Sequence, residues 1–374
     1  MDAARYARHL ALPDFTPDHQ HRLAVARVLV IGAGGLGCPC LLYLAAAGVG
    51  CLRIADPDRV TLSNLQRQTL YATADIGRRK VEAARERLMA LNPEVHVEAR
   101  PVAFTAETAF DLLAGCDLVI DGSDNFATRY VANDAAVLAG VPLVFGSVFR
   151  YEGQVAVFHA RRADGSRSPN YRDLFPEPPP AGTVPDCAEG GVLGVLPGLV
   201  GTLQALEALK LLTGLGEPLD GRLWSFDARS FTALTLRIAP DPANPLTGEV
   251  PRQRDLIDYA AFCGLPAAVP EIDPVELAAW QAAGTDFDLV DVREAHEYAA
   301  ANLGGRLLPL SELADRWAEL DPSRCIVVHC QRGGRSQQAA ALLRERGFAD
   351  VWNLAGGLES WAAAGLPVTA QPED

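Results

Sequence analysis

Along the first half of the chain, short continuous apolar runs alternate with stretches in which apolar residues recur every three or four positions. Residues 26 to 31, Ala-Arg-Val-Leu-Val-Ile, read as a buried strand, followed by a glycine turn and an apolar helix to about Ala47. Cys51 to Asp56 predicts the next strand, and Lys80 to Leu91 an amphipathic helix that stops before Asn92-Pro93. Val95 to Ala103 and Leu118 to Asp121 predict two further strands, with Phe110 to Leu113 closing a helix between them. Strands and helices alternating at these lengths specify an α/β, Rossmann-like doubly wound domain.

After Val141 to Phe145 the period changes. Gly146 to Arg150 and Gly153 to Phe158 read as consecutive strands. Arg161 to Pro185, with prolines at 176, 178, 179 and 180, reads as a long surface crossing, neither central strand nor helix. Gly194 to Leu212 resumes a long apolar helical pattern around Pro197, and a Pro-, Gly- and Asp-rich stretch runs from Pro240 to Pro251. Strands are then predicted at Phe287 to Arg293, Cys325 to His329 and Val351 to Leu354, with helices at Pro274 to Ala283, Ser336 to Arg346 and Gly357 to Ala364. The expected division is a first domain over 1–245, a linker over 246–269 and a small α/β domain over 270–370, just large enough for its own core.

At 374 residues the chain exceeds one hydrophobic core, and 49% hydrophobic with 21% charged residues implies a folded protein. A formal charge of −14 argues against a nucleic-acid surface but leaves room for local basic clusters around a small anion. No basic-then-apolar segment precedes Arg5-Tyr6-Ala7-Arg8-His9, and no apolar run stands isolated enough to span a bilayer, so a cytoplasmic enzyme is expected. The eight cysteines lack the close regular pairing of a secreted disulfide framework.

Gly32-Ala33-Gly34-Gly35-Leu36-Gly37, between a strand and a helix, lets backbone amides approach phosphates. Asp56 lies 24 residues after Gly32, where a carboxylate can accept from a ribose, although Asp56-Pro57-Asp58 also suits a turn. These features serve any dinucleotide or adenylate binder and say little for hydride chemistry. Chemistry on ATP needs cations for three phosphates and a carboxylate for Mg²⁺. Arg8, Arg67, Lys80 and Asp124 supply that set, with Asn64 and Gln68 in the amide-rich run Ser63-Asn64-Leu65-Gln66-Arg67-Gln68. Taken singly, Arg8 could be a terminal charge, Lys80 a helix-surface residue and Asp124 a helix cap.

At the other end, Cys330-Gln331-Arg332-Gly333-Gly334-Arg335-Ser336 releases a cysteine from a buried strand into a short glycine loop, where converging amides stabilise a thiolate or persulfide. Four residues separate Cys330 from Arg335. Cys187, ahead of Gly190-Gly191, is a second thiol near a glycine-rich helix start.

The first set of motifs resembles the bacterial ubiquitin-activating-like adenylyltransferases of the ThiF/MoeB/HesA type, over about residues 1 to 240. The second, with Asp291-Val292-Arg293-Glu294, Glu297 and Asn353 to Leu358, resembles the rhodanese-like sulfurtransferase domain over about 270 to 370. That resemblance implies adenylation of the C-terminal glycine of a ubiquitin-like sulfur-carrier protein ending in Gly-Gly, for molybdopterin, thiamine or tRNA thiolation. A small-molecule or protein persulfide donor would supply the sulfur. It implies ATP and Mg²⁺, with Gly34, Gly35, Asn64 and Gln68 in the nucleotide site, Asp56 on the ribose, Arg67 and Lys80 on the phosphates, and Asp124 as catalytic and Mg²⁺-binding residue. The arginine matching Arg8 reaches the other subunit's site, implying a homodimer. Cys330 and Arg335 would carry the persulfide, and Cys187 would form a thioester or resolve an acyl disulfide.

The family's zinc is held by two Cys-x-x-Cys pairs, which should fall in Asn170-Tyr171-Arg172-Asp173 and near Asn244-Pro245-Leu246-Thr247; neither contains a cysteine, so no zinc is expected. The readings from other classes are a non-catalytic carrier-binding scaffold and an NAD-dependent dehydrogenase fused to a phosphatase-like domain. The first loses ground because Asp56, Arg67, Lys80 and Asp124 are all present, and the 63–68 run and the four-residue Cys330–Arg335 interval count against the second.

Overall fold

A computed structural model of the chain describes residues 3–179, 191–264 and 269–369. It forms two compact units, Met1–Gly264 and Leu265–Asp374.

In the first unit the apolar runs become β1 (Arg27–Ile31), β2 (Cys51–Ala55), β3 (His96–Arg100), β4 (Leu118–Asp121) and β5 (Leu143–Phe149), all parallel. β6 (Glu152–Phe158), β7 (Arg222–Asp227) and β8 (Thr232–Arg237) extend the sheet antiparallel, in the order β3-β2-β1-β4-β5-β6-β7-β8. The pleat sorts β1 onto two cores: Val28 and Val30 pack with Leu41, Leu44 and Ile54, whereas Leu29 and Ile31 pack with Val119, Tyr130 and Phe145. Because β1 lies between β2 and β4, the chain direction reverses there and opens a crevice at the carboxyl ends of these strands.

The segment expected as two pieces, Val141 to Phe145 and Gly146 to Arg150, is one strand through Gly146. A Cβ at Gly146 would stand 2.4 Å from the Gln204 amide carbon, so the glycine makes room for that side chain. Gln204 in turn donates to the Asp121 carbonyl at 2.6 Å. Its helix, Val195–Thr213, is long and apolar enough to cross a membrane by length and composition alone. Here Leu196, Val200, Gln204, Ala205 and Ala208 are buried in the first unit, making it a core helix.

The crossing after β6 contains one helical turn, Tyr171–Leu174, where none was expected, because the Asn170 side chain accepts from the Arg172 amide at 2.9 Å and starts it. Arg172 is fully buried: its guanidinium meets Asp134 at 2.7 and 3.1 Å, and Asp134 also accepts from Gln253 and Tyr259. Leu246, Tyr259 and Cys263 are buried and anchor the stretch 246–264 on the first unit at these points.

The second unit is a five-stranded parallel sheet of β9 (Glu271–Ile272), β10 (Asp288–Asp291), β11 (Arg306–Leu307), β12 (Ile326–His329) and β13 (Val351–Leu354), ordered β11-β10-β12-β13-β9. Ile326 and Val328 face one core and Val327 the other, so β12 is buried on both sides and its carboxyl end delivers Cys330.

Candidate active site

The crevice of the first unit holds a cavity of about 300 Å³ lined by the glycine turn, Asp56, Asp58, Arg67, Gln68, Lys80, Phe104, Ser123, Asp124 and Arg129, among others. The turn is tight. A Cβ at Gly37 would lie 2.0 Å from the Gly32 carbonyl oxygen, and Gly32 itself has φ +85° with Gly122 oxygen 2.9 Å from its Cβ position. These two glycines hold the turn against β4, whereas Gly34 and Gly35 line the cavity and leave its floor bare.

Asp56 closes the turn from the next strand. Its Oδ2 accepts from the Ala33 amide and its Oδ1 from the Asp58 amide, both at 2.8 Å. Burial raises its carboxyl above the ordinary value, against the opposing pull of Lys80 and these amides. Lys80 is not a helix-surface residue: it is buried at the start of Lys80–Leu91 with Nζ 2.7 Å from Asp58 and 3.8 Å from Asp56. The 3₁₀ turn Leu62–Asn64 presents Arg67 and Gln68 to the cavity, and the Asn64 carbonyl accepts both of their amides. Asn64 itself does not line the cavity; its side chain accepts from the Thr61 amide at 3.3 Å.

On the far wall, Asn125 caps the helix Phe126–Ala139 by accepting from the Thr128 amide at 2.9 Å. The capping role open to Asp124 is thus filled by its neighbour. Asp124 is exposed at the cavity wall, and among the described residues no hydrogen bond or ion pair engages it. One turn into the helix, buried Arg129 has its guanidinium over the Phe126 and Phe145 rings at 5.4 and 5.8 Å. Sequence reading missed Arg129; the signal was a cation on the apolar face of a helix that begins at the Asp124-Asn125 pair.

Four buried polar atoms of lining or adjoining residues make no well-formed hydrogen bond, Gln68 Oε1, Asp121 Oδ2, Ser123 Oγ and Arg129 Nε, although Asp121 lies against Ser123 and Arg129 against Tyr171. Buried polar groups are nearly always satisfied, so this concentration fits a polar ligand in the cavity. A bare glycine floor, an acceptor at Asp56, cations at Arg67, Lys80 and Arg129, and an uncommitted carboxylate at Asp124 fit a nucleotide with its phosphates. Arg8 stands elsewhere, exposed on the short helix Ala7–Leu10 and outside this cavity. Cys187 lies outside the described residues.

In the second unit Cys330 is 2% exposed at the floor of its loop. Its Sγ accepts from the Gly333 amide at 3.1 Å and lies 3.4 Å from Ser336 Oγ. Burial pushes the thiol up, yet the Ser336 hydroxyl and the amides of Ser336, Arg332 and Gly333 outweigh it, leaving the thiol below its ordinary value. Gly333, at φ +96°, turns the loop into the helix Gly334–Glu345, which begins two residues earlier than the sequence suggested. Arg335 does not bond the sulfur. It holds Glu297 bidentately, both contacts at 2.7 Å, and this pairing lowers the Glu297 carboxyl to about 2.

The zinc corner is filled by hydrogen bonds. Asn170 Nδ2 donates to Thr247 Oγ1 and Asn244 Nδ2 to Asp173 Oδ1, each at 2.8 Å. Asp173 also accepts from the Asp241 and Asn170 amides. One carboxylate, two amides and a hydroxyl, already bonded to one another, do not fit a tetrahedral thiolate-type zinc site. Among the described residues no cluster of three or more His, Cys, Asp or Glu side chains is placed to hold a metal.

Comparison with known proteins matches residues 6–246 to the ThiF family and residues 273–364 to the rhodanese-like domain. The chain is 46% identical over 371 residues to the probable adenylyltransferase/sulfurtransferase MoeZ of Mycobacterium tuberculosis, covering 96% of this chain and 93% of that protein. It is 54% identical over 261 residues to the sulfur carrier protein adenylyltransferase of Thermus thermophilus, covering 70% of this chain and 96% of that one. It is also 40% identical over 386 residues to the adenylyltransferase and sulfurtransferase MOCS3 of Anopheles gambiae, covering 96% and 86%. Among solved structures, Escherichia coli MccB with ATP superposes with a TM-score of 0.56 at 19% identity, over 66% of this chain and 75% of that one, a likeness of fold.

Proposed function

Because the chain belongs to the ThiF family and carries a rhodanese-like domain behind it, as adenylyltransferase/sulfurtransferases do, we propose that its acyl substrate is the C-terminal glycine of a ubiquitin-like sulfur carrier ending in Gly-Gly. The carrier would serve molybdopterin, thiamine or tRNA thiolation. The observation that carries the nucleotide half is the glycine-floored cavity itself, lined by Asp56, Arg67, Lys80 and Asp124 and by Gln68, Ser123 and Arg129, each with a buried polar atom that makes no well-formed hydrogen bond.

In this reading ATP lies with its phosphates over Gly34 and Gly35 and its ribose against Asp56. Arg67 and Lys80 hold the phosphates while the carrier carboxylate attacks the α-phosphorus. The bond to pyrophosphate breaks, leaving an acyl adenylate. Asp124 would hold Mg²⁺, an ion commonly bound through one carboxylate and substrate phosphates, which when bound neutralises phosphate charge. Arg8, outside its own chain's cavity, would complete the site of a second copy in a homodimer.

Cys330 takes a sulfane sulfur from a small-molecule or protein persulfide donor, and its terminal sulfur attacks the acyl carbon as AMP leaves. A thiol, the role assigned to Cys187, then attacks the Cys330-side sulfur, releasing the thiocarboxylate and leaving a disulfide that an external thiol must reduce. Seven described cysteines are free thiols, which suits the reducing cytoplasm. The test supplies the full chain with candidate carriers, ATP, Mg²⁺, thiosulfate and a thiol reductant. It follows pyrophosphate release and the mass of the carrier's C-terminus; no pyrophosphate with any Gly-Gly carrier overturns the reading.

A further inference from the structure

Directly behind the Cys330 sulfur is the fully buried hydroxyl of Ser336, whose Oγ is 3.4 Å from Sγ, 3.0 Å from the Gly333 carbonyl oxygen and 2.6 Å from Asn353 Oδ1. One hydroxyl has one proton, so it cannot donate to all three at once. Asn353 decides which. This amide is itself buried, and its Nδ2 donates to Glu271 Oε1 at 3.0 Å. A carboxylate accepts, so Glu271 draws the NH₂ end of the amide toward itself and turns the carbonyl end toward Ser336. The Ser336 proton is drawn to Asn353 and the Oγ lone pairs face the sulfur. In that arrangement the Cys330 thiol donates to Ser336. When the thiol loses its proton, the hydroxyl must leave Asn353 and turn to the sulfur.

The chain of contacts is held by the sheet, for Asn353 and Glu271 are register partners across β13 and β9. We infer that Glu271, acting through Asn353, is a positioning residue that sets the direction of the Ser336 hydroxyl and so restrains Cys330 from becoming a free thiolate until that hydroxyl turns. This rests on Cys330 being the sulfur-carrying thiol. The other charged groups around the loop are already paired: Arg332 with Glu359, Arg335 with Glu297, and buried Arg293 with Asp291, beside which His329 lies.

The test follows iodoacetamide alkylation of Cys330 in the full chain against pH, read by mass spectrometry of the Cys330 peptide. Glu271→Lys can only donate to Asn353, which turns the amide round and frees the Ser336 hydroxyl for the sulfur. Alkylation on the acid side of the profile then quickens about fivefold, the worth of one hydrogen bond. Ser336→Ala slows it by a similar factor and Ser336→Thr restores it. The deciding measurement is Glu271→Lys in the Ser336→Ala background, where the gain must vanish; Ser336→Gly is the second hydroxyl-free background should the alanine variant not fold. The same gain with and without the hydroxyl would mean that only the added charge acts, and that outcome, or no gain at all, overturns the inference. Alkylation reads the thiol itself, so its result is separable from a failure of Cys330→Ala to stop sulfur transfer.

Discussion

Asn125 caps the helix Phe126–Ala139 and thereby leaves the adjacent Asp124 without a structural task. Two neighbouring polar residues at a helix start divide the work: one satisfies the backbone, the other faces the cavity. The division has separable consequences. Asp124→Ala should reduce carrier-dependent pyrophosphate release by at least about a hundredfold while changing stability by less than about 0.5 kcal/mol. Asn125→Ala should lower stability by about 1 kcal/mol, measured by chemical denaturation. Loss of folding in Asp124→Ala would contradict the assignment.

The glycine turn makes a graded prediction. Gly37→Ala, whose Cβ would meet backbone at 2.0 Å, should prevent accumulation of folded protein. At Gly34 a Cβ would meet only Gln68 Nε2 at 3.6 Å, so Gly34→Ala should fold normally. Its methyl enters the cavity and should raise KM for ATP about tenfold in a pyrophosphate exchange assay.

Cys330→Ala should leave pyrophosphate release intact and abolish thiosulfate-dependent thiocarboxylate formation. Continued transfer would show that another thiol carries the sulfur.

The second unit should lose stability in acid in two windows. His329 is buried with no well-formed hydrogen bond at either ring nitrogen, Asp291 lying 3.7 Å from Nε2, and burial lowers it to about 4. The unfolded chain therefore binds its proton first, and stability falls as pH drops from the ordinary histidine range through about 4. Glu297, held down to about 2 by Arg335, adds stability that is full above the ordinary carboxylate range and is lost as pH falls through about 2. Calorimetry of the full chain against pH should show His329→Leu flattening the first window. NMR titration of Arg335→Ala should show Glu297 raised toward its ordinary range, the Glu294 amide still bonded to it.

At the corner where the family carries zinc, prolonged dialysis against a chelator should leave the melting temperature of the first unit unchanged. Asp173→Ala removes the acceptor for three donors and should cost about 2 kcal/mol. A melting temperature that falls on chelation would show that a metal is held there after all.

Much of the fold was legible where one local signal sufficed. Lys80–Leu91 ends where Asn92-Pro93 breaks it, and Leu118–Asp121 is a bare apolar run. β8 was not seen because all six of its residues are exposed, so no inward face marks it. A helix start beside Asp124 was weighed, but neither its cap at Asn125 nor its run to Ala139 was read, and Arg129 was missed with them. The break assumed at Gly146 follows a sound local rule, that glycine weakens a strand; the reason it fails is Gln204, distant in sequence, which occupies the space a side chain would need. Likewise, Arg335 could be placed beside Cys330 by spacing, but its commitment to Glu297 depends on a helix about forty residues earlier.

Asn170, Asp173, Asn244 and Thr247 clasp one another with nothing but their own amide, carboxylate and hydroxyl groups. A joint so made is held by bonds that form as soon as the polypeptide folds. Nor does it contain sulfur for peroxide to attack, so a burst of oxidant would find nothing to oxidise in this part of the scaffold.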